Sequence, residues 1–288
     1  MIGTRALAST AGSVLILAWL LGEGGPDPSA ARHAEALIRE RAAAAVDALD
    51  VLSAALEPAL EAARAGSALA VQGDQAPGPL LEAAADGVEG ATDEADAARR
   101  AVSALEGALR TRDTDAAALP TIVSTEELGA IAAELHATGP GADAVVEMRQ
   151  RASSVLDSID RSLAALVDGR YQAARGEVEA ARAEHDALVA AGGTSDALPV
   201  WLEATNAMII VVTALIDATE SGDREAAAAA ADEFAELAAD ASMADRALQI
   251  AISEGADAAT RPSVARLGAA VASIEELRAM VESVVARP

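Results

Sequence analysis

The sequence predicts an all-α protein, an elongated bundle of about eight antiparallel, alanine-rich amphipathic helices that follow an N-terminal signal or anchor helix. Three observations support this fold class. Apolar residues recur at alternating steps of three and four, which is the spacing of one face of an α-helix. Roughly a quarter of the residues are alanine, the strongest helix former. No segment shows the period-two alternation that is typical of a half-buried β-strand.

The first apolar segment, residues 6–22, determines where the protein is expected to reside. Its most apolar part, residues 14–21, has the length of a signal-peptide core, and the whole run reaches the lower limit for a membrane-spanning helix. Arg5 precedes the run and Glu23 follows it, an asymmetry that exports the rest of the chain. We therefore expect residues 1–25 to be a cleaved signal peptide or a retained anchor, with a merely buried helix as the third alternative.

Under either of the first two alternatives, the rest of the chain lies outside the cytoplasm. It would be secreted, associated with the cell envelope, or held at the membrane by a single N-terminal helix. Contact with the membrane is then expected only through residues 6–22, and only if they are not cleaved.

The first predicted domain, residues 29–118, is a helical hairpin. Ser29 is placed to cap its first helix, which is predicted to be kinked at Pro58 and to end near Gly66. A turn rich in glycine and proline, residues 72–79, follows. The apolar stripe of this helix consists of Ile38, Ala42, Ala45, Leu49, Leu52 and Leu56.

The second helix of the hairpin has the most regular stripe in the sequence. Its members are Leu81, Ala84, Val88, Ala91, Ala95, Ala98, Val102, Leu105 and Leu109. Almost half of them are alanine, and such small side chains let helix axes approach closely. Each contact then buries little area, so we expect long helices that compensate by their length.

The second predicted domain, residues 122–288, is a helical bundle that contains two similar hairpins. Ser124 and Glu127 form a capping box that opens a short helix to about His136, and Gly139-Pro140-Gly141 is expected to end it. Five more helices are predicted at about residues 145–168, 171–191, 201–221, 227–248 and 262–285. The two hairpins turn at Asp168-Gly169-Arg170 and at Gly222-Asp223-Arg224.

A second strongly apolar run, residues 208–216, lies inside one of these helices. Glu203 and Asp217 flank it, and its nine residues are too few to cross a membrane. We interpret this run as the buried core of a helix.

The charge and the missing residue types exclude several classes of function. The formal net charge is -25, and all 21 basic residues are arginine. Such a surface repels phosphate backbones and anionic lipids, so we expect no nucleic-acid partner. The chain has no cysteine and no lysine, which excludes disulfides, thiolate chemistry, Schiff bases and a Walker lysine. Basic proteins and cations remain the partners that the charge favours.

Three histidines, His33, His136 and His185, are the candidates for proton or metal chemistry. None of them has the H-E-x-x-H, E-x-x-H or H-x-x-E spacing that places two ligands on one helical face. His185 lies on an apolar stripe and is interpreted as a partly buried, hydrogen-bonded structural residue. We therefore predict no catalytic residue, no bound cofactor and no metal ligand set.

Two acidic clusters and one glycine motif are interpreted as structural features and not as binding sites. The clusters are Asp93, Glu94 and Asp96, and Asp232, Glu233 and Glu236. Both are typical of a solvated helix face, although hard cations also favour several carboxylates. The G-x-G-x-x-A spacing of Gly139, Gly141 and Ala144 lacks the strand that a dinucleotide site needs, and we interpret it as a helix that stops and restarts.

Three functions are then compatible with the sequence. The first is an exported, non-enzymatic interaction or scaffold protein of the envelope, with an unknown protein partner. The second is a helical bundle that binds a cation or a small ligand. The third is an enzyme that uses His136 or His185, for which no catalytic motif is present.

Overall fold

The computed structural model describes residues 28–73, 75–112, 119–192 and 195–286, and the regular structure in these ranges is all α-helical. The predicted all-α class is confirmed. The predicted signal or anchor, residues 1–25, lies outside the described residues. Seven helices occupy the described ranges: α1 (Pro28–Gln72), α2 (Gly78–Gly90), α3 (Thr92–Arg112), α4 (Thr125–Val167), α5 (Tyr171–Ala191), α6 (Ala197–Ser221) and α7 (Arg224–Ala286).

The expectation that Gly139-Pro140-Gly141 ends a helix is wrong, because α4 continues through all three residues. Proline inside a helix removes one backbone hydrogen bond and strains the preceding turn. Packing on both sides offsets this cost, since Leu135 and Ala142 are both buried. The start of α4 is as predicted: Ser124 Oγ accepts the backbone N–H of Glu127 at 3.0 Å.

The prediction that the last helix begins at residue 262, which is Pro262, is also wrong. α7 passes through this residue and joins two predicted helices into one. The flanking Thr260 and Ser263 are buried, and Thr260 Oγ1 lies 2.7 Å from Ser67 Oγ of α1. Contacts with α1 thus hold the segment helical where the local sequence favours a break.

The helix predicted over residues 81–109 is divided in two. Ala91 leaves helical geometry, and its N–H donates to the carbonyl oxygen of Val88 at 3.2 Å. The whole predicted stripe is nevertheless buried on both sides of this break, with no member more than 7% exposed. The break follows Gly90, and glycine stabilises a helix less than other residues do. Gly90 is not a member of the apolar stripe, so the stripe stays buried across the break.

The predicted end of the first helix near Gly66 is wrong for a different reason. α1 continues to Gln72, and Gly66 is buried where α1 and α2 approach each other. A Cβ atom there would lie 2.9 Å from Leu81 Cδ2. The glycine therefore marks a close helix contact and not the end of a helix.

Two hydrophobic cores share the long helices α4 and α7. The first core contains α1, α2, α3, the first part of α4 and the second part of α7. The second contains the rest of α4, α5, α6 and the first part of α7. At ~1.5 Å per residue, α4 and α7 are ~64 and ~95 Å long, which is enough to pass through both cores. The predicted domain boundary between residues 118 and 122 stays a prediction.

The two predicted hairpin turns have the same backbone geometry. Gly169 and Gly222 adopt φ angles of +71° and +77°, which favour glycine. In each turn, the residue after the glycine donates its N–H to the carbonyl oxygen five residues earlier, at 2.8 Å in the first turn and 2.9 Å in the second. This pairing satisfies carbonyl groups that the helix end would leave without a donor.

An exposed ion-pair network joins α5 to α6. Arg175 lies 2.8 Å from Asp217 Oδ1 and also donates to Glu220. The hydrogen bond to Glu220 raises the pKa of the Arg175 guanidinium. Exposed ion pairs contribute little to stability, and the packed stripes remain the main source of it.

Among the described helices, α6 is long and apolar enough to cross a membrane by length and composition, with a mean hydropathy of 1.7 in its most apolar window. Of that window, 39% is buried inside the protein. Trp201, Ile209 and Val212 are almost completely buried in the second core. A core helix of a bundle needs the same apolar composition on its buried side, and residues 208–216 fit the core interpretation on one face only, since Ile210 is 55% exposed.

Candidate functional site

His185 and His33 lie in different surroundings. His185 on α5 is 7% exposed, and its Nε2 lies 3.0 Å from the carbonyl oxygen of Leu202 on α6. The neighbouring Glu184 accepts a hydrogen bond from Arg151 of α4 at 3.0 Å. His33 is exposed in the first turns of α1. His185 thus connects two helices, and His33 lies on the open surface.

The third histidine belongs to a cluster that the sequence does not predict. His136 Nε2 on α4 lies 3.8 Å from Asp86 Oδ1 and 3.8 Å from Glu89 Oε1, both on α2. One ligand atom from each of the three residues lies within 4.8 Å of the other two, and all three side chains are exposed. Asp86 and Glu89 are three residues apart, so they share one face of α2.

A cleft between α2 and α4 borders this cluster. Its volume is about 280 Å³. Its lining residues are Gly78, Pro79, Glu82, His136, Gly139, Pro140 and Asp143. Two more carboxylates, those of Glu82 and Asp143, therefore line the same cleft as the histidine, and no other basic residue lines it.

Close backbone contacts fix the position of α2 against α4. The N–H of Gly78 donates to Asp143 Oδ1 at 2.7 Å at the start of α2. A Cβ atom on Gly139 would lie 3.5 Å from the Cα of Gly78, so the two backbones nearly touch. The G-x-G-x-x-A spacing therefore lies inside a helix and provides a close helix contact. No local spacing in the sequence reveals this contact, because its two sides come from different helices.

A second candidate surface is a groove between α6 and α7, with a volume of about 580 Å³. Its lining residues are Val200, Glu203, Ala204, Ala207, Leu237, Asp240, Met243, Ala244 and Ala247. Val200 and Met243 are 59% and 62% exposed, so large apolar side chains face solvent here. The small side chains of four alanines leave open space between these larger side chains.

The surroundings of this groove are acidic. Helix α6 carries three carboxylates and no basic residue, and residues 224–252 of α7 carry six carboxylates and two arginines. The predicted acidic cluster of α7 is exposed, in agreement with its interpretation as a solvated helix face. In the other predicted cluster, Asp96 lies 3.9 Å from Arg99, and Glu94 Oε2 is buried without a hydrogen-bond partner.

No protein-family model, no curated protein and no solved structure matches this chain. The described residues form two candidate surfaces, the His136 cluster on α2 and α4 and the groove between α6 and α7.

Proposed function

We propose that this protein is an exported, non-enzymatic interaction protein whose α6–α7 groove binds a cationic amphipathic helix of a partner protein. The observation that carries the proposal is an exposed apolar groove that is bordered by carboxylates and lined by no basic side chain. Export is inferred from the predicted signal or anchor in residues 1–25. In this proposal, the chain is an elongated bundle whose neighbouring helices are antiparallel, and the bundle holds α6 beside α7.

The shape of the groove favours a helix as its occupant. Ala204, Ala207, Ala244 and Ala247 give it small side chains, which let a third helix approach closely. Larger apolar side chains stand beside them and can pack against the apolar face of an incoming helix, the usual mode of helix-in-groove recognition. A helix bound in this groove would bury apolar surface that otherwise contacts water.

The negative charge around the groove favours a positively charged partner. Glu203 and Asp240 lie within the lining, and the net charge of the whole chain is -25. Complementary charge speeds association and disfavours wrong partners. A second copy of this acidic chain, a nucleic acid or an anionic lipid surface would be repelled, whereas a helix with arginine or lysine on its polar face would be attracted.

A peptide titration tests this proposal directly. The probe is a labelled helical peptide of leucine and lysine, about 18 residues or ~27 Å long, and fluorescence anisotropy reports its binding. A peptide in which glutamate replaces each lysine has the same apolar face and the opposite charge. We expect the lysine peptide to bind saturably and the glutamate peptide to bind at least about tenfold more weakly.

Two matched variants locate the binding surface. Ala247→Arg places a bulky cation in the groove, and Ala97→Arg makes the same change at an exposed alanine of α3. We expect the first to weaken binding of the lysine peptide by about tenfold, or ~1.4 kcal/mol, and the second to leave it within about twofold. Equal effects of the two variants would mean that charge alone attracts the peptide, and the groove proposal would be wrong.

Export is tested separately. Expression of the full chain in a bacterial host, followed by mass spectrometry of the intact protein, identifies the mature N-terminus. Loss of about the first 25 residues supports a signal peptide, and an intact chain in the membrane fraction supports an anchor. An intact chain in the cytosol would contradict both.

A further inference from the structure

We propose that Asp86, Glu89 and His136 form a binding site for a divalent transition-metal ion of the zinc type. The site is separate from the α6–α7 groove and does not depend on the function proposed for it. It combines one imidazole nitrogen with two carboxylate oxygens from two helices. This ligand set distinguishes it from the acidic clusters elsewhere on the surface, which offer oxygen alone.

The distances in the cluster are close to those that a metal requires. A tetrahedral zinc ion with bonds of ~2.0–2.1 Å holds its ligand atoms ~3.3–3.4 Å apart. His136 Nε2 lies 3.8 Å from a carboxylate oxygen of Asp86 and 3.8 Å from one of Glu89. The three ligand atoms lie within 4.8 Å of one another and their side chains are exposed, so binding an ion requires the side chains to turn towards each other.

The backbone that carries the ligands is fixed in advance. The hydrogen bond between Gly78 and Asp143 and the close approach of Gly78 to Gly139 hold α2 against α4. Two ligands come from one face of α2, and the third comes from the turn of α4 just before Gly139. Because the elements are already in place, metal binding orders only three side chains, and its entropic cost is low.

The ligand types favour a transition metal over calcium or magnesium. Imidazole suits zinc and its neighbours in the first transition row, whereas calcium and magnesium prefer oxygen alone. Three protein ligands leave at least one coordination position for water, on the side of the solvent and the cleft. Glu82 and Asp143 line that cleft and add negative charge that attracts a cation.

Without a metal, the same three residues could form only an exposed cluster in which the histidine faces two carboxylates. A metal site and an acidic surface differ in the number of ions bound per chain and in which metal ions they prefer. A metal site binds one ion per chain and requires the imidazole, whereas an acidic surface binds cations weakly and does not distinguish calcium from zinc.

Isothermal titration of the metal-stripped full chain with zinc chloride tests the proposal. We expect one zinc ion per chain, and we expect both His136→Gln and Asp86→Asn to lower the affinity by at least about tenfold. His33→Gln and Glu126→Gln are the matched controls, because they change an exposed histidine and an exposed carboxylate outside the cluster. Both controls should bind zinc like the unchanged chain.

Two further readouts keep the result unambiguous. The far-ultraviolet circular dichroism of each variant should be unchanged, since all the altered side chains are exposed. Histidine side-chain NMR signals should move for His136 on addition of zinc and stay in place for His33. Zinc binding that His136→Gln leaves unaltered, calcium binding as tight as zinc binding, or no saturable binding at all would each overturn the proposal.

Discussion

The guanidinium of Arg149 donates a hydrogen bond to the carbonyl oxygen of Val71 at 2.6 Å, at the C-terminal end of α1. Its other terminal nitrogen donates to Ser253 Oγ of α7 at 2.7 Å. One side chain of α4 therefore joins α1 and α7 where the two hydrophobic cores meet. The carbonyl of Val71 lies in the last turn of its helix, where no intrahelical donor is left.

Gly73 should be much less tolerant of substitution than Gly222. Both have left-handed backbone angles, with φ of +79° and +77°, so alanine costs ~1–2 kcal/mol at either position. At Gly73 the added Cβ atom also overlaps the side chain of Arg149, whereas at Gly222 it meets open space. Displacing Arg149 weakens its hydrogen bonds, so we expect Gly73→Ala to destabilise the protein by ~2–4 kcal/mol in total.

Urea unfolding of the two glycine variants measures this difference. Gly222→Ala is the matched control, because it carries the backbone cost without the collision. If both variants lose the same stability, the guanidinium of Arg149 is free to move aside, and its bond to Val71 contributes little.

Ala95→Leu tests the close packing of the alanine stripe in α3. Ala95 is completely buried, and extra carbon atoms in a filled contact cost ~1–3 kcal/mol. Ala97 is exposed on the same helix, so Ala97→Leu should change the free energy of unfolding by no more than ~0.5 kcal/mol. Thermal or urea unfolding gives both values, and a neutral Ala95→Leu would show that this contact has room for a larger side chain.

Pro262→Ala should stabilise the protein. Pro262 is exposed inside α7, lacks the N–H that would bond to the carbonyl of Ala258, and costs up to ~3 kcal/mol relative to alanine. We expect a gain of ~1–3 kcal/mol in the free energy of unfolding. Pro120→Ala is the control, because Pro120 lies outside any helix and its replacement should cost ~0.4–1 kcal/mol through the unfolded chain. A loss of stability in Pro262→Ala would mean that the proline packs or orients α7 in a way that alanine does not.

The parts of the fold that depend on local sequence were predictable. Burial of a stripe follows from its period along a single helix, and Leu81 and Leu109 are buried as predicted on either side of the break at Ala91. The helix cap formed by Ser124 and Glu127 was predictable for the same reason, because it depends on only four consecutive residues.

The helix ends were less predictable, because packing between distant segments decides them. Gly66 and Gly139 resemble helix breakers in the sequence, yet each lies where another helix comes close. Pro262 lies beside the contact of Thr260 with Ser67 of α1. Intrinsic propensity is a weak signal, and tertiary contacts of this kind override it.

The candidate sites depend on the same long-range contacts. His136 meets Asp86 and Glu89 only because α2 is held against α4, and no spacing along the chain encodes this meeting. The groove likewise depends on how α6 lies beside α7. The sequence predicts the acidic charge and the apolar helix that form these surfaces, and the fold brings them together.

The two cores should unfold together, because α4 and α7 are continuous through both. Trp201 is completely buried in the second core, and in a Trp19→Phe variant it is the only tryptophan, so its fluorescence follows that core alone. Circular dichroism at 222 nm follows the helices of both cores. We expect the two signals to give the same midpoint in urea, as a single cooperative transition requires. A fluorescence transition at clearly lower urea, with a plateau in the dichroism, would show that the second core opens alone and that α4 and α7 do not couple it to the first.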